Sequence, residues 1–124
     1  MTKKELKERF KKYAVNVAFF ALKLPGDVVN RNYSSQLTRC ATSAAANYSA
    51  SLRAKSRKDF INKFKIVEEE LDESLFFLEL ILAINPKTAQ TVDTYQKEGN
   101  ELLAIMVASL KTLRKGGRGG NRKS

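Results

Sequence analysis

The chain has 124 residues, 43% of them hydrophobic, and carries a formal charge of +10. That length sets one domain with a thin single core, and the charge points to polyanions or an acidic protein partner. With no histidine and Cys40 as the single cysteine, a disulfide within the chain, a Cys/His zinc site and Ser–His or Cys–His catalysis are all excluded.

The first expected helix runs from Lys3 to Leu24. Leu6, Phe10, Tyr13, Val17, Phe20 and Leu24 alternate steps of four and three, which puts them on one stripe. Pro25-Gly26 stops the helix. The charged start followed by apolar residues superficially resembles a signal peptide. Glu5 and Glu8 within the charged part, Asn16 within the apolar part and the lack of a small-residue cleavage site argue against one. No apolar run reaches the length of a membrane span, so a cytoplasmic location is expected.

After a polar connection over Asp27 to Asn32, a second helix is expected from Tyr33 or Ser34 to Ala54. Its stripe is Tyr33, Leu37, Ala41, Ala44, Tyr48 and Leu52. Ser43, Ala44, Ala45, Ala46 and Ala50 keep it slim, so that Phe-rich neighbours approach closely. A large residue at Ala44 overpacks such a core by roughly 1–3 kcal/mol. Cys40 lies in this helical pattern and reads as a small packing residue. Asn47 beside Tyr48 reads as a polar side chain inside the bundle, in need of a partner such as Glu70 or Glu73.

Ser56 is an N-cap for a third helix, with Asp59 placed to complete a capping box. That helix is expected to reach Ile84, where Asn85-Pro86 ends it. Phe60, Phe64, Val67, Leu71, Leu75 and Leu78 share one side. Phe76, Phe77 and Ile84 widen the apolar surface towards the C-terminal end, which suggests self-association. Glu69, Glu70 and Glu73 are spaced as helical neighbours. Carboxylate-bridged metal pairs in bundles usually add Glu-x-x-His, so a solvated acidic face, or ion pairs with Arg or Lys of a neighbouring helix, is expected instead, and no metal or cofactor.

A fourth helix is expected from Thr91 to Arg114 on Val92, Tyr95, Gly99, Leu102, Met106, Ser109 and Leu113. Gly99 is either a weak point, at about 1 kcal/mol against Ala, or a place of close helix contact. Residues 1–115 thus form one bundle. Residues 116–124, Gly-rich and basic, form an expected disordered tail that resembles RNA-binding Arg-Gly-Gly ends in a single copy and equally suits a solubilising end.

The fold class is all-α, an antiparallel up-down-up-down four-helix bundle. That course gathers Lys3, Lys4 and Lys7, the turn residues Arg53, Lys55, Arg57 and Lys58, and the fourth-helix residues Lys111, Arg114 and Lys115 at one pole. Such a pole suits nucleic-acid backbone, RNA or DNA, with affinity that falls steeply with salt. No recognition helix or stacking motif for sequence readout is visible, and no nucleophile is paired with a base, so no enzymatic activity is expected.

Gln36-Leu37-x-Arg39, Ser43, Ala46-Asn47-Tyr48, Ala54-x-Ser56, Asp59-Phe60-Ile61, Asp72-Glu73-Ser74-Leu75 and Leu78-Glu79-Leu80 form a combined pattern. It extends to Asn100-Glu101-Leu102-Leu103-Ala104-Ile105 and Ser109. Through it the chain resembles the small bacterial four-helix-bundle proteins encoded in intervening sequences of 23S ribosomal RNA genes. It departs at Ala50, where that family often has Glu, and at Phe77, where it often has Trp. The resemblance implies a homo-oligomer, typically a pentameric ring; the wide apolar surface of the third helix makes Phe76, Phe77 and Ile84 its expected interface residues. It also implies kinship with accessory proteins of diversity-generating retroelements, which bind nucleic acid and a reverse transcriptase. An alternative function is therefore a protein-interaction scaffold or accessory subunit without direct nucleic-acid contact.

Overall fold

In a computed structural model the chain is a bundle of four helices: α1 (Lys3–Leu22), α2 (Val28–Ser51), α3 (Arg57–Ile84) and α4 (Ala89–Lys123). No strand occurs among the described residues. Side chains are described for residues 1–115, and the expected disordered basic tail over 116–124 lies outside those described residues.

α1, α2 and α3 each start where a side chain serves otherwise unpaired backbone donors. Thr2 and Glu5 form a reciprocal capping box on α1. Ser56 Oγ accepts from the Asp59 N–H at 3.0 Å and starts α3. The expected box there closes differently: the Asp59 carboxylate accepts from the Lys55 N–H and from Lys63 Nζ rather than from Ser56. The α2 start also needs correcting. The helix begins at Val28, not Tyr33, because Asp27 caps it by accepting from both the backbone N–H and the side-chain amide of Asn30. A single 3-10 turn, Pro86–Thr88, precedes α4 and brings its start forward to Ala89 from the expected Thr91.

Leu6, Phe10, Tyr13, Val17 and Phe20 of α1 are buried against Leu37, Ala41, Ala44 and Tyr48 of α2, Phe64, Val67, Leu71, Leu78 and Ile81 of α3, and Val92, Leu102, Met106 and Leu110 of α4. Aromatic contacts tie the helices in register: Phe10 stacks on Tyr48 with centroids 4.8 Å apart, Tyr48 meets Phe64 at 5.8 Å, and Phe20 meets Tyr95 at 5.6 Å. α2 and α4 each neighbour both α1 and α3, whereas α1 and α3 do not neighbour one another. Those two helices stand on opposite corners, and Tyr13 reaches across the core between them to Ser74, Oη to Oγ 2.9 Å.

Candidate nucleic-acid interface

One end of the bundle collects the cations. α2 ends at Ser51, and the short connection to α3 carries Arg53 and Lys55, both exposed. Ser56 then sets the first turn of α3, which holds Arg57 and Lys58 outward. The Arg57 guanidinium donates to the Leu113 carbonyl oxygen of α4. This bond joins the basic turn to the α4 segment that carries Lys111, Arg114 and Lys115, all exposed. α1 begins at the same end: Lys3 and Leu6 share a cleft of about 650 Å³ with Tyr48, Leu52, Phe60 and Leu113. Lys3, Lys4 and Lys7 are exposed there.

Two acids at this end are committed elsewhere. Glu5 closes the α1 capping box, whose hydrogen bonds to Thr2 hold its carboxyl below the usual range. Asp59 is bound by Lys63 and the Lys55 N–H, and both hold its carboxyl below the usual range. Among the described residues, no ion pair engages Arg53, Lys55, Arg57, Lys58, Lys111, Arg114 or Lys115. An exposed cation outside any ion pair keeps most of its field for an incoming anion.

The acidic face of α3 belongs to a different construction. Arg39 of α2 bridges Glu70 at 3.1 Å and Glu73 at 3.0 Å, the expected ion pairing to a neighbouring helix. Asn47 takes no part in it. Its amide donates within α2 to the Ser43 carbonyl and hydroxyl, so the expected Asn47–Glu70 or Asn47–Glu73 contact does not form; the local acceptor one turn back outcompetes a distant one. Cys40 is buried and donates its thiol to Glu73 Oε2 at 3.4 Å. Burial, then the Glu73 carboxylate, pushes that thiol up to about 12. Ligand atoms of Cys40, Glu70 and Glu73 lie within 4.8 Å of one another, and the Arg39 guanidinium is ion-paired with both carboxylates.

Of the remaining candidates, Phe76 is 54% and Ile84 44% exposed, while Phe77 is half-buried against Tyr33 with centroids 6.4 Å apart. Sequence reasoning missed the Arg9 clamp that ties α1 to Glu98 at 2.6 Å and Glu101 at 3.0 Å of α4. An i, i+3 acid pair on α4 facing a lone arginine in the lysine-rich start of α1 was the available signal. No helix among the described residues is long and apolar enough to cross a membrane.

The family model for 23S rRNA-intervening sequence proteins matches residues 3–108. The fold is similar to the crystal structure of a protein of unknown function from the S23 ribosomal protein family of Bacteroides thetaiotaomicron VPI-5482. The TM-score is 0.81 at 26% identity, over 90% of this chain and 99% of that one. No curated protein matches the chain.

Proposed function

This chain belongs to the 23S rRNA-intervening sequence protein family, and from that premise we propose that it is a non-enzymatic, cytoplasmic bundle of antiparallel up-down-up-down helices that binds RNA or DNA backbone through its basic pole and works as a homo-oligomer, a pentameric ring. The observation that carries the reading is the Arg57–Leu113 bond, which holds the basic turn against the basic end of α4. Arg53, Lys55, Arg57, Lys58, Lys111, Arg114 and Lys115 then meet phosphates as one surface. Backbone binding of this kind is driven by counterion release, so affinity falls linearly with salt on a log–log plot. Repetition of the pole in an oligomer multiplies weak contacts through effective concentration.

The test is binding of a structured RNA and a matched DNA duplex across a salt series. For the duplex the slope is expected to be shallower by about 0.9 for each phosphate contact removed when Lys58 and Lys115 are reversed to Glu. An unchanged slope, or no binding at low salt, sinks the reading. The second reading, a protein-interaction scaffold or accessory subunit such as one for a reverse transcriptase, draws support from the exposure of Phe76 and Ile84. It predicts partner binding that Phe76→Ala weakens and salt does not.

A further inference from the structure

The bundle leaves two apolar ridges uncovered. α1 turns Leu6, Phe10, Tyr13, Val17 and Phe20 to the core; on its far side Val15 is 44%, Phe19 60% and Leu22 80% exposed. Residues 15, 19 and 22 are spaced by four and three, so they form one stripe. Lys11 and Lys12 sit one turn before it and, with Glu8, Arg9 and Val15, line a shallow hollow. α3 buries Leu71, Ser74 and Leu78 and presents Phe76 outward, 54% exposed. Phe76 shares an open groove with Asp72, Glu73 and Glu79 of its own helix and with Gln96 and Asn100 of α4.

Because α1 and α3 stand on opposite corners, these ridges face in opposite directions. Their charges are opposite too. Lys11 and Lys12 flank the first, Asp72 and Glu79 the second, and among the described residues none of these joins an ion pair within the chain. Their heights also agree. The Phe10–Tyr48–Phe64 contacts and the Tyr13–Ser74 bond are two marks shared by α1 and α3, and both helices run from the first to the second in the same sense. At the rise of an α-helix, Phe76 lies about 5 Å beyond Phe19 by the first mark and about 6 Å short of it by the second, so the two stand within about one turn of each other.

We propose that each ridge is covered by the opposite ridge of a second copy of this chain, in a head-to-tail contact centred on Phe19 and Phe76. The proposal rests on the oligomeric reading above and names the surfaces that reading leaves open. Like ridge on like ridge would set lysine against lysine or acid against acid. Unlike ridges pair Lys11 and Lys12 with Asp72 and Glu79 around an aromatic centre, the arrangement in which a few large side chains dominate binding. A contact between two different surfaces on opposite sides of a subunit cannot be completed in a two-fold dimer. It adds copies until the turn closes. With the bundles side by side and in the same sense, every copy's basic pole lies on one face of the assembly.

The test is the mass of the full chain in solution by light scattering or sedimentation. The wild type is expected to form a discrete species larger than a dimer. Phe19→Asp and Phe76→Asp are each expected to reduce it to the monomer with helical circular dichroism unchanged, since both side chains are largely outside the core. Lys11→Glu with Lys12→Glu, and separately Asp72→Lys with Glu79→Lys, are expected to weaken assembly, and all four together in one chain to restore it. A dimeric wild type, assembly that survives Phe19→Asp, or failure of the fourfold exchange to restore what the separate pairs lose overturns the proposal. A large wild-type species that survives Phe19→Asp refutes only this interface, whereas a monomeric wild type refutes the oligomeric reading with it. Phosphate binding is judged separately by the salt series.

Discussion

Gly99 is buried in α4 against side chains of α1 and α3. A methyl group there would lie 2.8 Å from Leu75 Cδ2 and 2.9 Å from Tyr13 Oη. Leu75 is half-buried and can turn aside. Tyr13 cannot, because it is buried and bonded to Ser74. Overpacking at roughly 1–3 kcal/mol therefore outweighs the gain of about 1 kcal/mol in helix propensity. Gly99→Ala is expected to destabilise the fold in urea titrations, and Tyr13→Phe in the same chain to recover part of the loss, since it removes the atom in the way. Additive losses in the double-mutant cycle would show that the contact does not decide the outcome. Of the two readings that the glycine allowed in sequence, close contact is the one realised. The distinction depended on which side chain meets it from a helix far away in the chain. Tyr13 also sets a pH limit. Ser74 spends its proton on the Leu71 carbonyl, so the phenol must donate to Ser74 and must stay neutral to do so. Burial pushes the phenol up from 10.0 to about 12. A group held neutral by the fold contributes its full stability below the unfolded value, near pH 10, and loses it as the pH rises towards 12. Alkaline denaturation is expected to steepen in that window, and Tyr13→Phe to flatten it.

At the scale of the helix, caps and local acceptors decide where elements begin. Ser56→Ala removes the acceptor for the Asp59 N–H and is expected to cost about 1 kcal/mol, read as a lower denaturation midpoint with an unchanged slope. Asp27→Ala removes the α2 cap and leaves the Asn30 amide without its acceptor. Asn85 binds Asn30 Oδ1 at 2.7 Å, so the loss is expected to loosen the end of α3 as well, seen as faster amide exchange near Asn85. The stripes of α1 and α3 were legible in sequence because their apolar period is unbroken and proline marks their ends. The start of α2 was not. Val28 to Asn32 has no helical apolar stripe of its own, and the Pro25-Gly26-Asp27 run reads as a turn unless the aspartate is taken as a cap. Asn47 was assigned a distant partner for a related reason: periodicity identifies a face but does not rank the acceptors on it.

Across the whole molecule the α1–α4 seam is the slightest of the helix contacts, and Arg9 is its clamp, with a side chain only 23% exposed. Arg9→Met keeps the packing stem and removes the charge. It is expected to accelerate amide exchange across α1 and α4 while leaving α2 and α3 protected; uniform acceleration would mean that the bundle opens as one unit. The basic pole itself was legible before any coordinates. It followed from helix count and short connections, which assign ends to ends. The bond from Arg57 to a backbone carbonyl on α4 was not, because no pattern in residue types announces a main-chain acceptor.

The bond between Tyr13 and Ser74 joins the two helices that stand on opposite corners of the bundle. Leu and Val stripes tolerate a helix that has slid by a turn, since one apolar surface slides over another at small loss. A phenol inside the core does not, because every displaced arrangement strands its proton away from an acceptor. One polar contact thus acts as the index pin of the bundle. It sets the height of α1 against α3, and with it the level at which Phe19 and Phe76 look out from opposite corners.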